Sequence, residues 1–293
     1  MRLLKSNSSL LGVCAVLCLL SLFVACSPPE PLPRRNRPRR VVTLAPNLTE
    51  IVFALGAGDR LVGRTSACDW PPEARAVPVM GGFGRPSLEL LLQAKPDVVL
   101  DVDLEDEQLG AAMARGGIFR ERIRCRSLED IAPAIHQVGR VLGKTDAANE
   151  LAERIEKELA MWRARPIRKH RPRVYLEIWS DPPMTAGRGA FVSEMIELAG
   201  GENIGGESSR EYYTISSEAV LVKAPEVILA LYPAPEASVR ARIASRPGWE
   251  GLPAVRSGRI ISGLNLDVIL RPGPRVGEGL SQLEAALNGT SAP

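Results

Sequence analysis

The feature that most constrains the fold of this 293-residue chain is a segment that occurs once in each half. Residues 88–100 read LELLLQAKPDVVL, and residues 217–229 read SEAVLVKAPEVIL. In both, a Glu stands seven positions before a Pro, and an acid and a β-branched run follow that Pro. This pattern predicts a short helix with a Ser cap and an acidic first turn, then a buried strand. A chain that carries the unit twice is expected to form two lobes of similar build.

Short β-branched runs alternate with helical patterns along the rest of the chain, which predicts parallel α/β sheets. The expected strands are residues 40–44, 61–64, 98–101, 174–178, 227–231 and 259–262.

Residues 145–165, between the two halves, contain neither Gly nor Pro. Thr145 is a plausible N-cap of a helix, and Glu153 and Lys157 form an i,i+4 pair. The apolar stripe expected on this helix comprises Leu151, Ile155, Leu159 and Trp162. The stretch therefore predicts one long helix that joins two α/β halves.

The N-terminus predicts export. A short basic region is followed by an apolar run over residues 10–25, and a small residue, Ala25, precedes Cys26. This is the pattern of a bacterial lipoprotein signal, so residues 1–25 are expected to be removed and Cys26 to carry lipid in the periplasm or on the cell surface. A membrane-spanning anchor is disfavoured because the run is short of the roughly 20 apolar residues that a span needs. Ordinary cleavage to a soluble form stays open.

The net charge is distributed unevenly. The formal +3 divides into +2 in residues 1–25, +4 in residues 27–40 and −3 in residues 41–293. The basic character thus belongs to the leader and to a Pro/Arg-rich tether, residues 26–39, which is expected to be an extended linker. Nucleic acid is excluded as a partner because the globular part lacks a basic excess.

The expected organisation is a signal peptide (1–25), a tether (26–39), an N-terminal lobe (40–143), an interlobe helix (144–166) and a C-terminal lobe (167–293). Of the five cysteines, Cys68 and Cys125 remain in the folded part. They could form a disulfide in an oxidising compartment or be two buried small side chains.

Six motifs together indicate a family. They are residues 40–50 (RVVTLAPNLTE), 68–74 (CDWPPEA), 95–99 (KPDVV), 181–187 (DPPMTAG), 198–204 (LAGGENI) and 271–275 (RPGPR). In this order the chain resembles the ABC-importer solute-binding proteins whose lobes are joined by a single rigid helix, a family that takes up cobalamin, haem and ferric siderophores. The resemblance implies an α/β fold with two Rossmann-like lobes, a ligand cleft between them and little closure on binding. It also implies a monomer without a cofactor that delivers its ligand to a permease dimer with its ATPase.

The resemblance also assigns roles to two glutamates. Glu89 and Glu218 match the exposed acids, one on each lobe, that meet arginines of the membrane permease in this family. Two carboxylates far apart on a rigid body would fix the orientation of docking. Compensation of the helix dipole is the structural alternative, because both acids stand in a helical first turn.

The closest likeness is to the cobalamin-binding branch, and it places ligand contacts in the cleft. Phe83 and Tyr212 match aromatic walls, and Asp267 and Arg271 match positions in the last cleft loop. Three other positions depart from that branch: Ala67, Val268 and Leu270. These departures leave a related corrinoid, haem or a ferric siderophore as alternatives.

Two arginines, Arg85 and Arg188, lie in Gly-flanked loops that should face the cleft. Either could bind a carboxylate or phosphate of a ligand, and either could be a solvated loop residue.

Catalysis and metal capture are disfavoured. The chain has two histidines, and it contains no H-E-x-x-H, G-x-S-x-G or phosphate-loop motif. A lipid-anchored enzyme or sensor on the same two-lobed body is the alternative from another class, because fold alone does not determine function.

Overall fold

The computed structural model describes residues 37–102, 107–166 and 169–289. The predicted signal peptide, Cys26 and the tether up to residue 36 therefore lie outside the described residues. In chain order the N-terminal lobe contains β1 (Val41–Thr43), α1 (Pro46–Ala54), β2 (Leu61–Arg64), β3 (Gly81–Gly82), β4 (Arg85–Pro86), α2 (Leu88–Ala94), β5 (Val98–Val102), α3 (Glu107–Arg115), β6 (Arg120–Ile123) and α4 (Ile131–Leu142). A long helix, α5 (Thr145–Arg163), follows.

The C-terminal lobe is built from the same kinds of elements. In chain order it contains β7 (Arg173–Glu177), β8 (Trp179–Ser180), β9 (Pro183–Ala186), α6 (Phe191–Leu198), β10 (Glu202–Asn203), β11 (Tyr212–Thr214), α7 (Ser217–Lys223), β12 (Val227–Ala230), α8 (Glu236–Ala244), α9 (Pro253–Arg256), β13 (Ile260–Ile261), α10 (Leu266–Ile269) and α11 (Val276–Asn288).

Each lobe is centred on a four-stranded parallel sheet. The strand order is β2-β1-β5-β6 in the first lobe and β10-β7-β12-β13 in the second. The pairs within both sheets are parallel, so the two orders correspond strand for strand. Parallel pairs need crossover connections, which the helices provide. The predicted fold class, two α/β lobes with parallel sheets, is confirmed.

All six predicted strands are present, with ends that differ by at most one residue. The strand missed in the first sheet is β6, whose sequence is Arg-Glu-Arg-Ile and whose only buried residue is Ile123. It lies at the sheet edge, where a strand tolerates charged side chains. A hydrophobic pattern therefore does not reveal it.

The prediction that Thr145 is the N-cap of α5 was wrong. Thr145 is already helical, and the preceding Lys144 provides no side-chain cap. The reason is the tight connection from α4, which is followed by Gly143 in the left-handed region with a φ of 63°. Only Gly143 and Lys144 separate the two helices, so Thr145 already belongs to the first turn of α5.

The predicted apolar stripe of α5 is buried, and Glu153 and Lys157 pair at 2.6 Å. At its start, α5 packs closely on α4, since a Cβ added to Gly139 would lie 2.3 Å from the Ala148 Cβ. The stripe belongs to an apolar cluster that runs without interruption from β1 in the first lobe to β7 and α11 in the second. The two lobes thus share one core across α5, which resists large movements of one lobe relative to the other.

The two copies of the repeated segment, residues 88–100 and 217–229, make equivalent hydrogen bonds at both ends of their helices. Ser87 caps α2 and Ser216 caps α7, each by accepting a bond from the amide three residues on. At the other end, Arg40 Nε donates to the carbonyls of residues 94 and 95, and Arg173 Nε donates to those of residues 223 and 224. In each lobe an arginine at the start of the first strand therefore holds the end of the repeated helix.

In the described part of the chain, no helix is both long enough and apolar enough to cross a membrane.

Candidate functional site

A cavity of about 640 Å³ lies between the two lobes. From the first lobe it is lined by Pro46, Asn47, Ala67, Phe83, Val102, Cys125 and Arg126, and from the second by Phe191, Glu211, Tyr212, Leu270, Arg271 and Pro272. Most of the first set lie at or just after the carboxyl ends of β1, β5 and β6. Open parallel sheets bind ligands at this edge, where the strand order reverses.

Phe83 forms one wall of the cavity from the tip of the hairpin β3–β4. The residue is 51% exposed, so its ring is accessible to solvent or to a ligand. The glycines around it allow this tight turn, because Gly81 and Gly84 have φ angles of 117° and 73°. Space beside Gly82 and Gly84 is open, with no atom within 4 Å of an added Cβ. The Phe83 ring therefore projects from a short hairpin with open space around it.

Tyr212 lines the opposite wall from β11. This strand is part of a three-stranded antiparallel sheet of order β11-β9-β8, in which Tyr212 is paired with Ala186. The ring is 40% exposed. Burial of the phenol, and then the negative charge of neighbouring Glu211, raise the pKa of Tyr212 above its ordinary value. Its hydroxyl therefore stays protonated at neutral pH.

Arg271 reaches the cavity lining but is surrounded by carboxylates. Its Nη1 lies 3.0 Å from Asp69 Oδ1 in the other lobe, and its Nη2 lies 2.6 Å from Asp267 Oδ1. Burial opposes ionisation of Asp69, but the hydrogen bond and charge of Arg271 outweigh it and lower the pKa of Asp69. The guanidinium is thus already neutralised before any ligand binds.

A second arginine links the lobes nearby. Arg275 makes a bidentate pair with Glu50, with distances of 2.9 Å from Nε to Oε2 and 2.8 Å from Nη2 to Oε1. Burial raises the pKa of Glu50, and Arg275 opposes that effect. Arg275 also lies 4.5 Å above the ring of Trp70. We call Glu50, Asp69, Arg271 and Arg275 the interlobe clamp.

The two cysteines of the folded part are buried and free, so no disulfide joins them. Cys125 lines the cavity, and its Sγ donates to the carbonyl of Pro272 across the lobes at 3.3 Å. Burial raises the pKa of this thiol to about 12. Cys125 is therefore a neutral, packed group on the cavity wall.

The structure brings together three of the six predicted ligand-binding residues: Phe83, Tyr212 and Arg271. Asp267 lies beside them as a partner of Arg271, and Arg85 is exposed on β4 outside the lining. Arg188 lines a separate depression together with Arg163 and Glu194. A ligand role for each of these residues stays a prediction.

The position of Arg188 has a local cause. Its amide donates to the carbonyl of Ser208 at 2.9 Å, and a Cβ on Gly187 would lie 2.2 Å from the carbonyl oxygen of Arg210. The loop thus packs directly on the backbone of residues 208–210, and the side chain lies in that other depression.

Sequence reasoning missed two charged residues of the lining, Arg126 and Glu211. Only their positions in the chain could have indicated them. Arg126 closely follows the carboxyl end of β6, and Glu211 directly precedes Tyr212, which was predicted to line the cleft. Neither has a periodic pattern or a motif of its own.

Glu89 and Glu218 are exposed in the first turns of α2 and α7. Glu89 accepts a bond from Gln93 at 3.2 Å. Bonds from its own amide and from Ser216 lower the pKa of Glu218, so this acid carries its charge at neutral pH. The two acids are available to a partner, and their docking role stays a prediction.

Within residues 37–102, 107–166 and 169–289, no group of three or more His, Cys, Asp or Glu side chains is placed to hold a metal ion.

Residues 41–264 match the family model described as periplasmic binding protein. An uncharacterised ABC transporter substrate-binding lipoprotein of Bacillus subtilis, YvrC, is 26% identical over 86% of this chain and 81% of its own length. A vitamin B12-binding protein of Vibrio cholerae is 27% identical over 90% of this chain and 96% of its own. The apo structure of the periplasmic haem-binding protein RhuT from Roseiflexus is 30% identical, with a TM-score of 0.77 over 86% of this chain and 98% of that one.

The match to the family model covers most of the chain, and the two-lobed fold with its interlobe cavity agrees with it. The chain therefore belongs to the periplasmic binding protein family, the solute-binding components of ABC transporters, and it is not an enzyme.

Proposed function

We propose that the protein captures cobalamin or a related corrinoid in the interlobe cavity and delivers it to an ABC permease. A corrin ring is large, flat and partly apolar, so it needs broad apolar walls and few fixed charges. Phe83 and Tyr212 supply aromatic surfaces from opposite lobes. The relative that binds vitamin B12 matches 90% of this chain, which supports the same choice.

The observation that carries the choice of a corrinoid is the neutralisation of Arg271 by Asp69 and Asp267. Haem presents anionic propionates, and ferric siderophore complexes are often anionic as well. Both kinds of ligand favour sites whose arginines are not already paired with carboxylates of the protein. Cobalamin has a periphery of neutral carboxamides, which a site of balanced charge suits better.

Calorimetric titration of the purified protein with cyanocobalamin, haemin and a ferric catecholate tests this proposal. We expect cyanocobalamin to bind most tightly. Failure of any corrinoid to bind at micromolar concentrations, with haemin or the catecholate bound instead, would contradict it.

Haem is the second candidate, because a haem-binding protein shares the fold at 30% identity and a tyrosine, Tyr212, lines the cavity. Tyrosine can ligate haem iron as a phenolate. The raised pKa of Tyr212 works against that state. A shift of the haemin absorption spectrum in the wild type that is lost in Tyr212→Phe would favour haem over a corrinoid.

Delivery is proposed to use Glu89 and Glu218 as docking contacts. Both are exposed, and the repeated caps and arginine bonds hold their helices in matching positions on the two lobes. Two separated carboxylates can recognise two basic patches on a permease dimer and fix the orientation of the complex. The binding protein itself is proposed to be a monomer.

A transport assay tests docking separately from ligand capture. Glu89→Ala and Glu218→Ala should each reduce corrinoid uptake, and the double variant should abolish most of it, while affinity for the ligand is unchanged. Glu236→Ala is the control, because Glu236 is also exposed on a helix of the second lobe. Normal uptake by the double variant would rule out this docking mode.

Membrane attachment is proposed to occur through lipid on Cys26, with residues 26–39 as tether in the periplasm or on the cell surface. The similarity to a substrate-binding lipoprotein of Bacillus subtilis supports this. The protein should enter the detergent phase on Triton X-114 partitioning, and Cys26→Ser should move it to the aqueous phase. Equal partitioning of both forms would show that this cysteine carries no lipid.

A further inference from the structure

Two oppositely charged side chains face each other from the two lobes in the lining of the cavity. Arg126 follows β6 in the first lobe, and Glu211 precedes Tyr212 in the second. Arg126 Nη1 lies 3.9 Å from Glu211 Oε1, and the side chains are 44% and 52% exposed. They are close enough to attract each other and open enough to meet a ligand.

The backbone beneath each charge is fixed. The amide of Arg126 donates to Asp130 Oδ2 at 2.9 Å, and the carbonyl of Glu211 accepts a bond from the amide of Gly187 at 2.9 Å. The backbone of both residues is therefore held in place, while their side chains retain rotamer freedom.

The other charge of the lining does not change this balance. Arg271 is engaged by Asp69 and Asp267 within 3.0 Å. Among the described residues of the lining, the remaining charges that a ligand meets are one cation and one anion, Arg126 and Glu211.

The chemistry of this arrangement distinguishes two kinds of ring periphery. A carboxamide can donate its N–H to Glu211 and accept from Arg126, so both charges gain a partner. A carboxylate can accept from Arg126 but meets repulsion from Glu211, a few ångströms away.

We propose that Arg126 and Glu211 form a selectivity pair that favours a ring edged with neutral carboxamides over one edged with carboxylates. The proposal rests on the proposed corrinoid function, because it concerns the same cavity. Glu211 has a second effect in the same direction: its charge helps to raise the pKa of Tyr212 and so disfavours a phenolate ligand for iron.

The test uses two corrinoids with the same ring. Dicyanocobinamide carries carboxamides, and dicyanocobyrinic acid carries carboxylates at the corresponding positions. The affinities of both, and of haemin, are measured by calorimetry for the wild type, Glu211→Gln and Arg126→Gln. Glu236→Gln is the charge-matched control, because Glu236 is 59% exposed and lies outside the cavity lining.

We expect Glu211→Gln to reduce the preference for the carboxamide corrin by about three- to tenfold, the size of one screened charge interaction at a half-exposed site. Arg126→Gln should increase that preference, because it leaves Glu211 unbalanced, and Glu236→Gln should leave it unchanged. Both effects should shrink as salt is added. Circular dichroism of each variant verifies that the fold is intact.

The outcomes separate the pair from the proposed function. One outcome is that the wild type binds the corrinoids while Glu211→Gln shows the same preference as Glu236→Gln. In that case the selectivity role of Arg126 and Glu211 is overturned, and the proposed corrinoid function is supported. If the wild type binds only haemin, the function fails, and a gain in haemin affinity in Glu211→Gln still supports the pair. Binding of no ring by any variant overturns both.

Discussion

The two lobes are alike in their frame, which is the parallel sheet with the repeated helix bound to its first strand, and they differ in the parts that reach the cavity. In both, an arginine at the start of the first strand bonds to the last carbonyls of the repeated helix, and an acid after the Pro accepts backbone amides of the chain entering that strand. Asp97 does this for residues 39 and 40, and Glu226 does it for Arg173. Lys95 and Ala224 even share a left-handed backbone, with φ angles of 44° and 43°.

The cavity walls, in contrast, have no such correspondence. The first lobe presents Phe83 on a hairpin of two-residue strands, whereas the second presents Tyr212 on a three-stranded sheet. We infer a division of roles from this difference. The contacts that both lobes share set the positions of the exposed repeated helices, and the hairpin and the antiparallel sheet, which differ between the lobes, set what the cavity binds. Four predictions test this division.

The largest effect is expected at the buried ion pairs that each lobe places near the end of a strand. Glu177 is fully buried and is held by Arg246, which is 13% exposed. Arg246→Met should lower the free energy of unfolding by about 3–5 kcal/mol, because it leaves a buried carboxylate without its cation. Urea unfolding measures this, with Arg240→Met as the exposed control, which should cost under about 1 kcal/mol.

The first lobe has a buried pair of its own, Arg120 and Asp101, which are 10% and 1% exposed. Arg120→Met should have a similar cost if the lobes depend equally on such pairs. A value near that of Arg240→Met would show that burial of the pair does not govern its contribution.

The next effect concerns the repeated arginines. Arg173→Met removes bonds to two helix-terminal carbonyls and should cost about 1.5–3 kcal/mol. Arg40→Met removes the equivalent bonds but at an exposed site, so it should cost about 1 kcal/mol. Chemical denaturation of both variants tests whether these bonds hold the repeated helix in each lobe, and an unchanged free energy of unfolding in either variant would contradict that role for its arginine.

The walls should affect binding more than stability. Phe83→Ala should weaken corrinoid affinity by about tenfold and change the free energy of unfolding by under about 0.5 kcal/mol, because the ring is half exposed. Tyr212→Ala should weaken binding similarly but cost about 1 kcal/mol, since it also removes a cross-strand contact. Phe119→Ala, an exposed aromatic outside the cavity lining, is the control for affinity.

The smallest effect is the pH dependence of the interlobe clamp. The pKa of Asp69 is lowered in the folded state, so its pairing with Arg271 stabilises fully above the ordinary carboxyl pKa of about 4 and is lost as the pH falls through the lower folded value. Asp69 is 39% exposed, so the contribution at neutral pH should be under about 1 kcal/mol.

The measurement compares the wild type with Asp69→Asn. The difference in their free energies of unfolding should be constant from about pH 8 to pH 5 and disappear at lower pH. A difference that instead changes near neutral pH would assign the titration to another group.

The frame could be predicted from the sequence because its signals are local. A Ser cap, an acidic first turn and an X-Pro break before a buried run each have one main structural meaning, so α2, α7 and the strands that follow were found. The edge strand β6 was missed because three of its four residues are charged, which breaks the hydrophobic pattern of a strand.

The candidate site was predicted only in part because it depends on contacts between distant residues. Phe83 and Tyr212 could both be recognised from a resemblance in motif. That Arg271 is neutralised by Asp69, 202 positions away, depends on how the lobes pack, and no spacing in the sequence encodes it. The same holds for Arg126 and Glu211, whose pairing exists only across the cavity.

The bonds from Arg40 and Arg173 have a mechanical consequence. Each repeated helix is fastened to the first strand of its own sheet, so it must rotate whenever that sheet rotates. The separation between Glu89 and Glu218 therefore varies with the angle between the two sheets. Because the core shared across α5 resists large movements of one sheet relative to the other, this separation stays nearly constant, and the two acids are presented at a set spacing.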